Sequence, residues 1–136
     1  MAQRAFKDLV LDSSAIIAII LGEAGAEELK SKISASDIVF VGATTLLETT
    51  LVLQARLQDR AQQTVDRFVE DLGCKVLDFT HAHYLTARGA YLQYGKGRHK
   101  AALNFGDCMS YSFAKVAAMP LLFVGGDFVF TDIEAA

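Results

Sequence analysis

Residues 9–19 read LVLDSSAIIAI, and this stretch decides the fold that we predict. Leu9–Leu11 is a short apolar run that ends at Asp12, which is typical of a buried strand in a parallel sheet. One of the two serines that follow, Ser13 or Ser14, can cap a helix. A buried strand that leads through an acid into a helix predicts the first unit of an α/β fold, with the acid at the carboxyl end of the strand.

The rest of the chain repeats this alternation of apolar strands and helices. Further strands are predicted in three segments, residues 38–41, 74–79 and 121–124. Helices are predicted in six segments, residues 15–21, 24–33, 44–58, 61–72, 81–94 and 104–118. This order predicts a three-layer α/β/α sandwich around a mainly parallel sheet. A chain of 136 residues without repeats or linkers suits one domain, which we expect to span residues 1–136.

Composition excludes several classes of protein. The two cysteines, Cys74 and Cys108, lie far apart and form no CxxC pair, which argues against a structural zinc site and fits a reduced compartment. The first residues lack the apolar core of a signal peptide, and the most apolar stretch, Ala15–Leu21, is too short to cross a bilayer. We therefore expect a cytoplasmic protein with no membrane segment.

Acidic residues follow the ends of the predicted strands and the starts of the predicted helices. Asp12 and Asp127 come directly after the first and last apolar strands, at the edge where open α/β sheets bind ligands. Asp107 lies in the first turn of its helix, where the helix dipole favours an anion, and Asn104 lies three residues earlier on the same face. Taken singly, each acid could be only a turn or cap residue, but together they predict a shared site.

Glu48 completes this set from the helix predicted over residues 44–58. We expect the inward face of this helix to carry Leu47, Leu51 and Ala55, joined by Val52. The carboxylate of Glu48 would then lie near the core boundary. No Lys or Arg lies within a helical turn to neutralise it, and an unpaired buried charge is costly. A divalent cation shared with other acids would relieve that cost, and carboxylates alone select Mg²⁺ or Mn²⁺.

The overall charge is compatible with a nucleic-acid ligand once this site is set aside. The net charge is −3, from 13 Lys and Arg against 16 Asp and Glu. Without the four acids of the predicted site, 13 basic residues face 12 acidic ones, which gives +1. A basic loop precedes Asn104 and could contact phosphate groups, although it could also be simply solvated; it contains Lys96, Arg98, His99 and Lys100.

Four segments resemble the motifs of one known family, in the same order. Residues 9–19 and 47–49 are similar to the first two acidic motifs of PIN-domain nucleases. Residues 94–108, which read YGKGRHKAALNFGDC, resemble the third motif of the VapC-type toxins of bacterial toxin–antitoxin pairs. Residues 121–133 resemble their closing motif, so the resemblance covers essentially the whole chain.

This resemblance implies an acidic catalytic site for metal ions at Asp12, Glu48, Asp107 and Asp127. It implies supporting polar roles for Ser14, Asn104, Thr131 and Asp132. The chain departs from many relatives at Gly126, where they carry an acidic or amide residue, and Lys100 is also less typical.

The resemblance further implies an endoribonuclease that uses Mg²⁺, or Mn²⁺, and leaves 5′-phosphate and 3′-hydroxyl ends. Such a toxin commonly forms a homodimer and is neutralised by a small VapB-type antitoxin that obstructs the acidic site. A non-catalytic PIN-like protein that only binds an antitoxin is the alternative, and the presence of all four acids argues against it.

Other enzyme classes that begin with a strand and an acid fit less well. A haloacid-dehalogenase-like phosphatase needs a second Asp where Ser14 stands, and a receiver domain needs paired acids where Ser13 stands. The segment Gly95–Gly97 lacks P-loop spacing, and no G-x-G-x-x-G follows a strand.

Among the remaining residues, we expect His81 and His83 on the surface and Cys108 in the core. Tyr94 could stack on a base or pack in the core.

Overall fold

The fold was obtained as a computed structural model, which describes residues 7–136. Its sheet contains four short strands: β1 (Leu9–Leu11), β2 (Val39–Gly42), β3 (Lys75–Leu77) and β4 (Leu121–Leu122). All neighbouring strands are parallel, and their order across the sheet is β3-β2-β1-β4. The predicted parallel sheet is therefore confirmed.

Six α-helices connect the strands, close to the predicted positions. They are α1 (Ser13–Leu21), α2 (Ala26–Ser34), α3 (Ala43–Leu57), α4 (Ala61–Leu72), α5 (His81–Tyr94) and α6 (Phe105–Ala117). Short 3₁₀ turns at Gln58–Arg60 and Phe128–Phe130 follow α3 and the last strand. In the part of the chain that the structure describes, none of these helices is long and apolar enough to cross a membrane.

The helices cover both faces of the sheet, as the alternation of side chains in β1 shows. Val10 points to one face and packs with residues of α5 and α6. Leu9 and Leu11 point to the other face and pack with residues of α1 and α2. Because all three side chains are buried, the sheet is the middle layer of a three-layer α/β/α sandwich, as predicted.

The chain reverses its direction across the sheet between β3 and β4. The first two crossovers place β2 and then β3 on one side of β1, whereas the last crossover, through α5 and α6, places β4 on the other side. The carboxyl ends of β1 and β4 are therefore neighbours at a topological switch point, where α/β proteins form ligand sites.

The expected inward face of α3 is wrong. Leu47 and Leu51 are 60% and 63% exposed, and the buried positions are Thr45, Thr49 and Leu53. Thr49 can be buried because its Oγ1 donates a 2.7 Å hydrogen bond to the carbonyl oxygen of Thr45, one turn earlier. The helix therefore turns the predicted stripe to solvent and packs inward through Leu53, with Leu46 and Leu57 half-buried beside it.

The last strand is shorter than predicted. Only Leu121 and Leu122 pair with β1, and the next residues leave the sheet. The backbone N–H of Val124 donates a 3.0 Å hydrogen bond to Oγ of Ser14, across 110 residues of sequence. A side-chain acceptor replaces the next ladder bond, so the chain bends toward Asp127 where the apolar pattern predicted a longer strand.

The position of α6 depends on a close approach at the end of β2. A Cβ on Gly42 would lie 1.9 Å from Cε2 of Phe113, which is fully buried. Only glycine leaves room for this ring, and α6 consequently packs against β1 and β2 with its first turn at their carboxyl ends.

Candidate active site

Asp12 is a buried carboxylate at the start of α1, only 3% exposed. Its Oδ2 accepts hydrogen bonds from the backbone N–H of Ser14 at 3.1 Å and from Oγ of Ser14 at 2.6 Å. Asp12, and not Ser13 or Ser14 as predicted, is therefore the N-cap of α1. Its second oxygen, Oδ1, is buried and has no hydrogen-bond partner among the described residues.

Glu48 reaches the same place from the first turns of α3. Burial raises the pKa of its carboxyl group, a hydrogen bond from the Ser13 side chain opposes the rise, and the charge of Asp12 adds to it. A Cβ on Gly106 would lie 1.8 Å from Oε2 of Glu48, so the carboxylate rests directly against the backbone of α6. Its other oxygen, Oε1, is buried and lacks a partner within residues 7–136.

Asp107 is held by a reciprocal cap at the start of α6. The backbone N–H of Asn104 donates to Oδ2 of Asp107 at 3.1 Å, and the backbone N–H of Asp107 donates to Oδ1 of Asn104 at 2.9 Å. This capping box fixes the first turn of the helix and the direction of the carboxylate. Asn104 and Asp107, predicted to lie on the same face of the helix, are thus in direct contact.

The electrostatics of Asp107 link all four acids. The pKa of its carboxyl group is raised to about 7, chiefly by burial, although the hydrogen bond from the backbone of Asn104 opposes the rise. The negative charges of Asp12, Asp127 and Glu48 each contribute to this rise. A like charge perturbs a carboxyl group in this way only from nearby, so residues distant in sequence converge at the switch point.

The fourth acid differs from the others in its exposure. Asp127 precedes the 3₁₀ turn that follows β4, and it is open to solvent at the rim of the site. Neither Asp127 nor any of the three inner acids forms a salt bridge with a Lys or Arg of the described chain. The site therefore concentrates negative charge without an internal cation to balance it.

The donor set of this site fits a hard divalent cation. Asp12 and Glu48 each present an unpartnered buried oxygen, and carboxylate oxygens are the ligands that Mg²⁺ and Mn²⁺ prefer. Between Lys7 and Ala136, no three Asp, Glu, His or Cys side chains already stand in the arrangement of a metal-ligand group. Metal binding would therefore include rotation of these carboxylates toward a common centre.

The four predicted supporting residues divide into two pairs. Ser14 and Asn104 contact the acids directly, and Ser14 also joins the turn after β1 to the segment after β4. Thr131 instead closes the 3₁₀ turn by donating to the carbonyl oxygen of Phe128 at 2.7 Å. Asp132 accepts hydrogen bonds from the hydroxyl of Tyr111 at 2.6 Å and from Nζ of Lys115 at 2.5 Å.

The basic loop between α5 and α6 is exposed except for His99, which is half-buried. The guanidinium of Arg98 lies 5.6 Å from the ring centre of Tyr91. Nζ of Lys100 lies 4.5 Å from the ring centre of Phe130, in the 3₁₀ turn that begins after Asp127. His99 accepts a 3.0 Å hydrogen bond from the backbone of Ala101 through Nδ1. The loop thus borders the acidic site on the side of Asp127.

Tyr94 and His83 are both buried, so neither has a role on the surface. Tyr94 is buried and packs against Tyr111 and His99, so it belongs to the core and offers no face to a base. His83 is 8% exposed, and the prediction of a surface histidine is wrong. Its Nδ1 accepts from the backbone N–H of Thr80 at 3.1 Å, which completes the cap of α5, and its ring packs on Phe113.

The expected position of Cys108 is confirmed, because its side chain is buried in the core cluster. Sequence reasoning missed two residues that shape the site, Ser13 and Gly106. The signal for Gly106 was available, since a glycine in the first turn of a helix is unfavourable unless something must approach closely.

Comparison with known proteins gives a consistent assignment. A family model described as PIN domain matches residues 9–134. Ribonuclease VapC36 of Mycobacterium tuberculosis is 39% identical over 127 residues, which cover 93% of this chain and 91% of that protein. Ribonuclease VapC of Mycolicibacterium smegmatis is 36% identical over 127 residues, which cover 93% of this chain and 98% of the relative.

Solved structures share the fold at lower identity. The crystal structure of VapC20 from Mycobacterium tuberculosis, described as a sarcin-ricin loop cleaving toxin, has a TM-score of 0.77 and 18% identity, covering 94% of this chain and 98% of its own. VapBC2 from Rickettsia felis, bound to a DNA fragment from its promoter, has a TM-score of 0.68 and 15% identity, covering 94% and 96%. The model match and the sequence relatives cover nearly the whole chain, so this chain belongs to the PIN domain family, with VapC ribonucleases among its relatives.

Proposed function

We propose that this chain is a metal-dependent endoribonuclease, the toxin component of a type II toxin–antitoxin pair. The observation that carries the proposal is the convergence of Asp12, Glu48, Asp107 and Asp127 with no balancing Lys or Arg among the described residues. The names of the sequence relatives support RNA as the substrate.

We assign the ligand roles by the contacts of each carboxylate. Asp12 and Asp107 would be the direct ligands of Mg²⁺ or Mn²⁺, because Ser14 and Asn104 anchor one oxygen of each carboxylate and leave the other for the ion. Glu48 and Asp127 complete the site or hold a second ion that arrives with the substrate. When bound, the ion neutralises charge on the phosphate and promotes the formation of a nucleophile from water.

The chain itself supplies proton transfer and substrate positioning. Glu48 is the candidate general base, because burial and the charge of Asp12 raise the pKa of its carboxyl group and so favour proton uptake from an attacking water. The exposed cations at the rim, Lys96, Arg98 and Lys100, together with His99, contact the phosphates of the RNA. We propose products with 5′-phosphate and 3′-hydroxyl ends.

The same proposal includes the partners and setting of the enzyme. Structures of the same fold include a toxin–antitoxin complex from Klebsiella pneumoniae and a DNA-bound VapBC from Salmonella typhimurium. We propose that a VapB-type antitoxin neutralises this chain, that residues 1–136 form one domain, and that the protein acts in the cytoplasm as a homodimer.

Purified, antitoxin-free protein tests the activity directly. We expect it to cut an RNA mixture in the presence of Mg²⁺ or Mn²⁺, and EDTA should abolish cleavage. Asp12→Asn should also abolish it, because Asn retains the cap acceptor of α1 but lacks the charge. Sequencing of the 5′ ends would identify the cut sites. Intact RNA with both metals present would contradict the proposal and favour a protein that only binds an antitoxin.

A further inference from the structure

An apolar cleft of about 590 Å³ opens between α5 and the first turns of α6. Its walls consist mainly of aromatic and aliphatic side chains, with one cation. We refer to it as the aromatic cleft, defined by Phe79, Tyr84, Arg88, Tyr91, Phe105 and Met109. No acidic residue of the described chain lines it, although the protein carries more acids than bases.

Three rings of the aromatic cleft are unusually open to solvent. Phe105 is 80% exposed, and Tyr84 and Tyr91 are 45% and 43% exposed. An apolar ring as open as Phe105 gains little from folding, and clustered exposed rings mark a binding surface. Flat faces of this kind are what proteins use to stack the bases of single-stranded nucleic acid.

The aromatic cleft shares the starts of α3 and α6 with the acidic site. Phe105 and Cys108, which both line it, stand on either side of Gly106 and Asp107 at the start of α6. Thr44 also lines it and lies one helical turn before Glu48. The cleft and the carboxylates are therefore carried by the same turns of α3 and α6.

The cations of this region suit a chain of phosphates. The guanidinium of Arg88 lies 5.2 Å from the ring centre of Tyr84, and its Nη1 donates a 3.1 Å hydrogen bond to the hydroxyl of Tyr84. Arg98 of the basic loop lies over the ring of Tyr91 in a similar way. Each exposed tyrosine thus carries a positive charge beside its apolar face, which complements a nucleotide with its base and its phosphate.

We propose that the aromatic cleft binds one nucleobase of single-stranded RNA, stacked on Phe105, next to the phosphate that is cut. This inference rests on the proposed ribonuclease function and identifies the substrate as an unpaired strand with a splayed base. A second copy of the chain is the competing occupant. The concave shape, the absence of acids in its lining, the cations beside its rings and its place on the same helix starts as the carboxylates favour the nucleotide.

Stacking can be measured separately from cleavage. We would titrate wild-type protein, with Ca²⁺ in place of Mg²⁺, into a hexaribonucleotide of uridines that contains one 2-aminopurine. We expect the fluorescence of 2-aminopurine to be quenched on binding. A matched RNA with an abasic ribose at that position should bind about 5- to 100-fold more weakly, the range expected for loss of one stacked base.

Substitutions at Phe105 then connect the effect to this ring. Phe105→Ala should abolish the quenching and bind both RNAs with equal affinity, whereas Phe105→Tyr should behave as wild type. Since Phe105 is mostly exposed, these variants should fold normally, which circular dichroism would verify. Leu92→Ala is the matched control, because Leu92 is an exposed apolar residue of α5 outside the cleft lining.

The outcomes separate this proposal from the ribonuclease proposal. Quenching that depends on Phe105, in a protein that cuts no RNA, would retain the base site and refute the ribonuclease. Cleavage without a difference in binding between normal and abasic RNA would retain the ribonuclease and refute the base site. Wild-type protein that binds neither RNA would also refute the base site. If Phe105→Ala changes only the molecular mass in sedimentation equilibrium, a second copy occupies the cleft and the base site is refuted.

Discussion

Two acids that contact or belong to α6 behave in opposite ways. Asp107, at the start of the helix, has no cationic partner within residues 7–136, and burial together with three neighbouring acids raises its pKa to about 7. Asp132, beside the later turns, is bonded to Lys115 and Tyr111, and these contacts lower its pKa despite partial burial. The comparison teaches that charge compensation, and not the mere presence of a carboxylate, distinguishes a site for an external cation from a structural contact.

Asp107→Asn should cause the largest effect, a loss of RNA cleavage. Loss of a charged ligand should reduce RNA cleavage by at least about 1000-fold, since metal-assisted charge stabilisation contributes several kcal/mol. Asp132→Asn should reduce it less than about tenfold, because this side chain holds the C-terminal segment and none of the four acids. Initial rates with equal amounts of folded protein would measure both. Equal losses in the two variants would break the distinction.

Gly106→Ala should have an intermediate effect. The new Cβ would occupy the position of the Glu48 carboxylate, at 1.8 Å from Oε2, and the flexible end of that side chain would be displaced. We expect cleavage to fall by about 100-fold, the lower end of the range for loss of a catalytic proton acceptor. The fold should persist, because alanine is favoured over glycine in a helix.

Gly89→Ala is the matched control for this substitution. Gly89 lies within α5, and a Cβ there meets no atom within 4 Å. It should stabilise the protein by about 0.5–1 kcal/mol without changing cleavage. Normal cleavage by Gly106→Ala would show that the position of Glu48 is unimportant.

Substitution of Asp107 and of Asp132 should change the thermal stability of the protein in opposite directions. In metal-free buffer at pH 8, Asp107→Asn should raise Tm by about 3–6 °C, because the folded state resists ionisation of this group. The pKa of Asp107 is raised on folding, so stability decreases as pH rises from about 4 to 7 and the gain should vanish near pH 4. A gain that does not depend on pH would have another cause.

Asp132→Asn should have the smallest effect, and the opposite sign. The pKa of Asp132 is lowered on folding, so its stabilisation is present above the unfolded pKa and lost as pH falls. Because the side chain is 47% exposed, we expect Tm at pH 7 to decrease by only about 1–4 °C. The difference in Tm from wild type should disappear in strong acid, which calorimetric scans at several pH values would measure. A difference that persists in strong acid would contradict this assignment.

Much of this arrangement could be predicted from sequence, because strand ends impose it. Asp12 and Asp127 follow apolar runs, and parallel strands bring their carboxyl ends to one edge. The inward face of α3 could not be predicted from apolarity, since Thr49 satisfies its own hydroxyl and can be buried. The end of β4 was missed for a related reason, because its next hydrogen bond goes to the side chain of Ser14, and a periodicity argument sees no such long-range contact.

The roles of single polar residues were the least predictable. His83 and Tyr94 contain both apolar and polar groups, and only the packing around Phe113 and Tyr111 decides which part is covered. Phe105 gives the opposite case, an apolar residue that the fold leaves open beside the acids. Its exposure depends on how the start of α6 packs, which composition does not encode.

Calorimetric titration of Mn²⁺ into metal-free protein at pH 7.5 tests the convergence of the four acids most directly. Asp66→Asn, an exposed acid of α4, serves as the matched control for Asp107→Asn. We predict saturable binding by wild type and by Asp66→Asn, and affinity at least about tenfold weaker for Asp107→Asn, since even the loss of an indirect partner of a metal weakens binding by that amount. No saturable binding by wild type, or equal binding by all three proteins, would contradict a cation site among these carboxylates.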